Sequence, residues 1–416
     1  MRKLVCLGLI ALGISVNSQP INQIEEKSTS AGKTLQYLTT DSSVKDVNYW
    51  SRIADGMVNS LIQRFWGASF PGYEDRYYFN YGSDLSNMTT SHYWPQAHAM
   101  DVVIDAYIRT NDKRYLDMYP LWWEGAPRFN FSGRAEDRWW NVFVDDMEWI
   151  VLTQIRMYES TNDATYLKKA VQMYDQWIWT TWGPNDEAPW YGGITWKTDT
   201  DKSKNACSNG PAAIIAARIY NFYEKAGLNG EKARDEYLNE AKSIYQWMRN
   251  NLYDETSGAV ADNMSKDGRV NRNWIFTYNQ GTFLGAAHEL YKITGEKSYL
   301  DDAIHAANYV INHMSTNRGV LSDATSGDGG LFHGIFFRYF VKLINDNSLD
   351  NNTRLKFHNY LTHLAIVMSE NGINHNTMLY GGKWWEKPAD NQPVGLTPHV
   401  TGCMLMEAMS ALEPIK

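Results

Sequence analysis

Hydrophobic positions recur along this chain in two alternating styles, both with the period of an α-helix. Segments near 92–108, 144–158, 208–223, 277–291, 329–344 and 398–412 carry apolar or small residues on most sides, the pattern of a helix buried all round. Segments near 44–65, 112–123, 163–179, 231–251, 297–313 and 351–369 are amphipathic. In 163–179, for example, Tyr166, Ala170, Met173, Tyr174 and Trp177 share one face at 3.6-residue spacing. Buried and half-buried helices in alternation predict an all-α fold, an (α/α)6 barrel whose buried helices form the inner ring.

The joints between helices repeat. Tyr107 to Leu116, Tyr158 to Leu167 and Tyr291 to Leu300 follow one pattern, with a looser copy from Tyr223 to Leu238. Each reads as a helix end, a tight polar turn and the next helix start, and such repeats belong to arrays or closed rings. Connections leaving a buried helix are mostly short, as at Thr110-Asn111-Asp112. Those entering one are long and rich in Gly, Pro and Trp, near 182–207, 252–276, 314–328 and 371–397. Inner helices joined through outer ones run parallel, so the long loops gather at one end, and long loops in a compact domain are usually functional.

At that end the inner helices begin with chemistry-bearing residues. Val144-Asp145-Asp146-Met147-Glu148-Trp149 opens one of them, just after Trp139-Trp140. An acid pair at a helix start is commonly a cap. Here it falls on an inner helix at the predicted mouth, among aromatics, which favours catalysis. Two carboxylates this close do not both ionise easily: one stays anionic and the other is pushed toward the protonated state. Such a pair suits glycoside hydrolysis. Adjacent helical side chains diverge by about 100°, so spacing alone leaves retaining and inverting separations both open. Glu148 is expected to be a structural hydrogen-bonding residue. Asn209, Tyr278, Gln280 and His333, at other inner helix starts, are candidates for hydroxyl contacts, and Trp94 and Trp140 for stacking on sugar rings. Each of His92, His98, His333 and His399, taken singly, reads more readily as a satisfied structural histidine.

Composition narrows the partners. The 416 residues carry a formal net charge of -8 with no basic block, which argues against nucleic acid. The chain has 17 Trp and 26 Tyr, and aromatics in loops are harder to dismiss as packing. Residues 1–19 read as an export signal, with Arg2 and Lys3 before a short apolar run from Leu4 to Val16. The run is too short to cross a bilayer, and nothing else in the sequence suggests a membrane span. Residues 20–42 read as a flexible leader and 43–416 as one catalytic domain, expected to be monomeric. Export permits a disulfide, but Cys207 and Cys403 are expected to be buried thiols. No His-x-x-x-His or Cys-x-x-Cys pattern suggests a metal site. The segments 199–205 and 323–330 lack full calcium-ligand spacing and are expected to be solvated turns. No cofactor is expected.

Four motifs together carry a resemblance: His92-Tyr93-Trp94-Pro95-Gln96-Ala97-His98, Val144 to Trp149, Ser208-Asn209-Gly210-Pro211-Ala212-Ala213 and Tyr278-Asn279-Gln280-Gly281. From about residue 45 onward the chain resembles glycoside hydrolase family 76, the α-1,6-mannanases. The resemblance implies an (α/α)6 fold and an endo-acting, retaining hydrolase of α-1,6-linked mannan. It implies Asp145 as nucleophile and Asp146 as acid/base. The alternatives are a transglycosylase acting on mannose-containing glycans and a non-catalytic glycan-binding protein.

Overall fold

The computed structural model describes residues 47–82, 93–130, 133–134, 136–183, 191–199, 202–230 and 232–414, apart from the side chain of residue 129. The segments expected to be an export signal and a leader, and His92, lie outside them. Thirteen α-helices form among these residues. They are α1 (Val47–Phe65), α2 (Tyr93–Thr110), α3 (Lys113–Leu116), α4 (Met118–Phe129), α5 (Val144–Thr161), α6 (Ala164–Met173) and α7 (Ala206–Phe222). The rest are α8 (Arg234–Asn251), α9 (Thr277–Thr294), α10 (Lys297–Tyr309), α11 (Phe332–Ile344), α12 (Asn351–Val367) and α13 (Leu396–Ala411).

Helices α2, α5, α7, α9, α11 and α13 pack each on the next, and α13 returns to α2, closing an inner ring. The remaining helices lie outside it; α7 against α8 and α9 against α10 are the hairpins of an (α/α)6 barrel. The first helix, α1, packs mainly on the last, α13, so the two ends of the helical chain seal the circle. Close approach has a residue-level cause. A Cβ on Gly210 would sit 2.5 Å from Thr282, and one on Gly281 would sit 2.7 Å from the Phe336 backbone. Glycine there lets α7, α9 and α11 come together without strain.

The repeated joint is one turn built three times. Thr110, Thr161 and Thr294 each turn a hydroxyl back to the carbonyl four residues earlier and accept the N–H two residues later. Asn111, Asn162 and Gly295, between those positions, adopt positive φ of 55°, 59° and 71°, the left-handed ending for which Gly and Asn are suited. One departure from the expected helices has a plain cause. The outer segment near 112–123 breaks at Asp117 into α3 and α4. Pro120 has no N–H to give, and its ring would clash with the carbonyl of Leu116. Outer helices α6, α10 and α12 end in wider turns at 174–178, 310–314 and 368–372.

Six parallel inner helices collect their positive dipole ends at one end and their negative ends at the other. The negative end holds arginines. Arg156 bonds Asp101 (3.1 Å) and Asp105, Arg338 bonds the same two acids, Arg218 bonds Glu289 (2.9 Å) and Arg109 bonds Glu407 (2.9 Å). These pairs fill the interior away from the mouth. The loops at the mouth carry short antiparallel ladders: β1 (Tyr81–Gly82), β2 (Lys204–Asn205), β3 (Asn263–Met264), β4 (Ile373–Asn374), β5 (Leu379–Tyr380) and β6 (Val394–Gly395), pairing β1 with β6, β2 with β3 and β4 with β5. Strand β2 buries Lys204, correcting the expectation of a solvated turn over 199–205. No helix among the described residues is long and apolar enough to cross a membrane.

Candidate active site

A cleft of about 950 Å³ opens among the N-termini of the inner helices. Tyr93 and Trp94 reach it from α2, Asp145 and Asp146 from α5, Cys207 from α7, Tyr278 from α9 and Phe332 from α11. The long loops add Trp196, Asp262, Trp274 and Asp328.

The two acids share a helix start but not an environment. Asp145 is held by donors: the backbone N–H of Asp146 at 3.1 Å, the indole Nε1 of Trp196 at 3.3 Å and the Cys207 thiol. Asp146 has no hydrogen-bond donor among the described residues. Burial raises the Asp145 carboxyl to about 6; its three donors act in the opposite sense and the charge of Asp328 adds to the rise. Burial, then Asp145, then Asp328 push Asp146 well above the usual carboxylate range. One carboxyl is therefore poised to be anionic and its neighbour to keep a proton. The Cys207 thiol is lifted by burial and by Asp145, so it stays protonated and able to donate. Glu148, expected to be a hydrogen-bonding residue, is fully buried and neither oxygen has a partner among the described residues. Burial and the Asp145 charge raise its carboxyl well above the ordinary range, which keeps it neutral.

Of the other residues expected in the site, two are there. Trp94 lines the cleft and donates its Nε1 to Asp328 at 3.2 Å. Tyr278 lines it and donates its hydroxyl to Asp262 at 2.9 Å. Four are not among the lining residues. Trp140 lies under the Arg134 guanidinium, 3.7 Å from its ring centre. Asn209 is fully buried, accepting from Ile194 N–H (2.8 Å) and donating to the carbonyls of Ile194 (3.0 Å) and Asn205 (2.8 Å). Gln280 is fully buried and donates to the Val260 carbonyl at 3.0 Å. His333 sits between Thr277 Oγ1 (2.8 Å) and the Ser322 carbonyl (3.0 Å), and burial lowers its pKa to about 4.

The last three of these residues are loop clamps, and the clamp repeats. Gln96, Asn209, Gln280 and His399 each stand three residues into an inner helix and bond the backbone of Tyr78, Ile194, Val260 and Tyr380. Each clamped residue also forms a short antiparallel bridge, to Trp66, Trp182, Tyr253 and Ile373. A loop entering a helix end leaves polar backbone groups in a buried place; Gln96 and Asn209 satisfy both donor and acceptor of the clamped residue, Gln280 the carbonyl and His399 the N–H.

Sequence reasoning missed Asp262 and Asp328. Asp262 is a single acid in a loop with no local signal. Asp328 falls in the segment expected to be a solvated turn; it is exposed, and it borders the cleft. Among tryptophans in the loops, Trp196 lines the cleft, whereas Trp139 packs on Trp123 and Trp384 is buried against the loop at 322–323. Cys207 and Cys403 are buried free thiols. Among the described residues no cluster of three His, Cys, Asp or Glu is placed to hold a metal ion.

An (α/α)6 barrel with an aromatic cleft and paired acids at its mouth defines a glycoside hydrolase. The sequence model of glycosyl hydrolase family 76 matches residues 72–416, and the chain belongs to that family. Its structure is similar to that of an α-1,6-mannanase of Salegentibacter sp. HEL1_6, solved as an inactive variant with two Asp-to-Asn substitutions in complex with α-1,6-mannotriose. Identity is 36%, over 88% of this chain and 100% of that one, with a TM-score of 0.76. A protein of Listeria innocua is 27% identical over 86% of this chain and 96% of its own, with a TM-score of 0.74. A cellobiose 2-epimerase of Ruminococcus albus is 26% identical over 123 residues; the chain spans about 30% of the length of that curated relative.

Proposed function

We propose that the protein is a retaining endo-α-1,6-mannanase that hydrolyses the backbone of α-1,6-linked mannan. The observation that carries this reading is the unequal setting of two adjacent carboxyls: among the described residues, three donors on Asp145 and none on Asp146. Neighbouring acids whose environments drive their pKa values apart divide into a base and an acid.

In this reading Asp145 attacks the anomeric carbon. The glycosidic C–O bond breaks as Asp146 passes its proton to the departing oxygen, leaving a mannosyl ester on Asp145. Asp146, now a carboxylate, takes a proton from water, and that water attacks the same carbon and releases Asp145. The inner helix dipoles favour the anionic partner in each half. Trp94, Tyr278 and Trp274, the last exposed over 54% of its surface, offer ring faces to sugars. The α-1,6-mannotriose bound by the Salegentibacter enzyme supports the substrate class. Export through residues 1–19 and a monomeric state complete the proposal.

The test is incubation with unbranched α-1,6-mannan, reading products by size and by anomeric configuration in NMR. Short oligosaccharides first released as α-anomers are expected. Asp145→Asn and Asp146→Asn should each lower turnover by roughly 10²-fold or more while melting like the parent. First release of the β-anomer, or near-parental turnover in either variant, sinks the assignment.

A further inference from the structure

A second concavity, of about 910 Å³, shares no lining residue with the cleft. One wall is aromatic. Trp179 and Trp182 stack at 5.4 Å with their planes within 16°, and Tyr191 is exposed over 62% of its surface. Gly192 lies against this wall, where a Cβ would come within 3.0 Å of Trp182 and 3.1 Å of Trp247. Trp247 also lines the groove; its ring is nearly buried and its indole N–H has no partner among the described residues.

The opposite wall is helix α8. A solvated helix face is ordinarily studded with Glu and Lys in i, i+4 pairs. Here Asn239, Ser243, Gln246 and Asn250 follow one another at spacings of four, three and four, so they share a face. All four are exposed, and none is charged. The span from Asn239 to Asn250 is roughly 16 Å at 1.5 Å per residue. The charged groups at the border are already engaged: Glu236 with the Ala233 N–H, Glu240 with Lys232 and Lys242 with Glu296. Among the described residues the neutral groups are tied only within the same row, Gln246 donating to Asn250 Oδ1 at 2.7 Å and Ser243 to the Asn239 carbonyl at 2.8 Å, so their remaining donor and acceptor positions face the stacked rings.

That combination selects a ligand with hydroxyls along its edges, apolar faces and no net charge. We propose that the groove is a second, non-catalytic binding site for a neutral polysaccharide chain, holding one stretch of a polymer while another stretch occupies the cleft. The two sites are joined in the chain: the loop 191–199 gives Tyr191 to the groove and Trp196 to the cleft. The rings cover the flat faces of the sugars, and the amides of α8 exchange hydrogen bonds with hydroxyls at an edge.

Affinity gel electrophoresis on α-1,6-mannan tests this, with turnover silenced by Asp145→Asn. Trp182→Ala, and separately Gln246→Ala with Asn250→Ala, should each weaken retardation at least fivefold. In the active protein the same changes should lower kcat/KM on the polymer about fivefold and leave mannotetraose turnover within twofold. The double variant alters only exposed helix positions, so it decides the matter if Trp182→Ala misfolds. Undiminished retardation, or equal losses on polymer and tetraose, overturns the proposal. Retardation depends on binding alone, so it still judges the groove if the protein proves not to cleave mannan.

Discussion

Trp196→Phe isolates one of the donors on Asp145. The substitution keeps an aromatic ring at the cleft and deletes the Nε1–H that reaches the carboxylate at 3.3 Å. A hydrogen bond to a charged group contributes about 1.5–3 kcal/mol; at this length the lower end applies, close to one pKa unit at 1.36 kcal/mol each. Asp145 starts at about 6 and should move to roughly 7. In the proposed mechanism Asp145 acts as an anion, so activity is lost as pH falls through this value. At pH 6 the ionised fraction drops from about a half to about a tenth, a loss of roughly fivefold, whereas at pH 8 it falls by only about a tenth. The assay is kcat/KM on mannotetraose from pH 4.5 to 9, which reports the groups of the free enzyme. The acid limb should be displaced upward by about one unit, with the alkaline side unmoved. A uniform drop at every pH, with the limb in place, would refute the reasoning and leave Trp196 as a binding surface only.

Cys207 and Asn209 lead to further expected outcomes. Cys207→Ala should also displace the acid limb upward, whereas Cys207→Ser, which keeps a donor, should not; and iodoacetamide near pH 7 should leave the parent active, because burial and Asp145 keep the thiol protonated. Asn209→Ala removes three hydrogen bonds and strands the buried Ile194 backbone, costing about 3 kcal/mol and lowering Tm by roughly 4 °C in a domain of this size without raising KM for mannotetraose; an unchanged Tm with a raised KM would restore Asn209 as a sugar contact.

The clamps show where sequence reading stops. Asn209, Gln280 and His333 attracted attention as neutral polar residues at the starts of buried helices, and that placement is correct. Whether such a residue points into the cleft or back toward the incoming loop depends on which side of the helix the loop crosses. A single position along a 3.6-residue turn changes the answer. Gln96 stands at the same step in its helix as Asn209 and does the same work. Trp140 fails for another reason: the aromatic run at 139–140 belongs to a rim packed on α4 and Arg134.

Hydrophobic periodicity determined the twelve helical segments and which of them are buried, because burial on all sides or on one face is written directly into residue order. The joint turns were equally local, each fixed by a threonine and an Asn or Gly in neighbouring positions. The acid pair was legible for the same reason, since two carboxyls one residue apart at a helix start need no folding to be neighbours. Tertiary structure alone decided their unequal surroundings. Trp196 and Cys207 come from other elements to meet Asp145, and Asp328 crosses from a distant loop to raise both acids. Charge and hydrogen bonding act through space over a few ångströms, and which groups lie that close is set by closure of the ring.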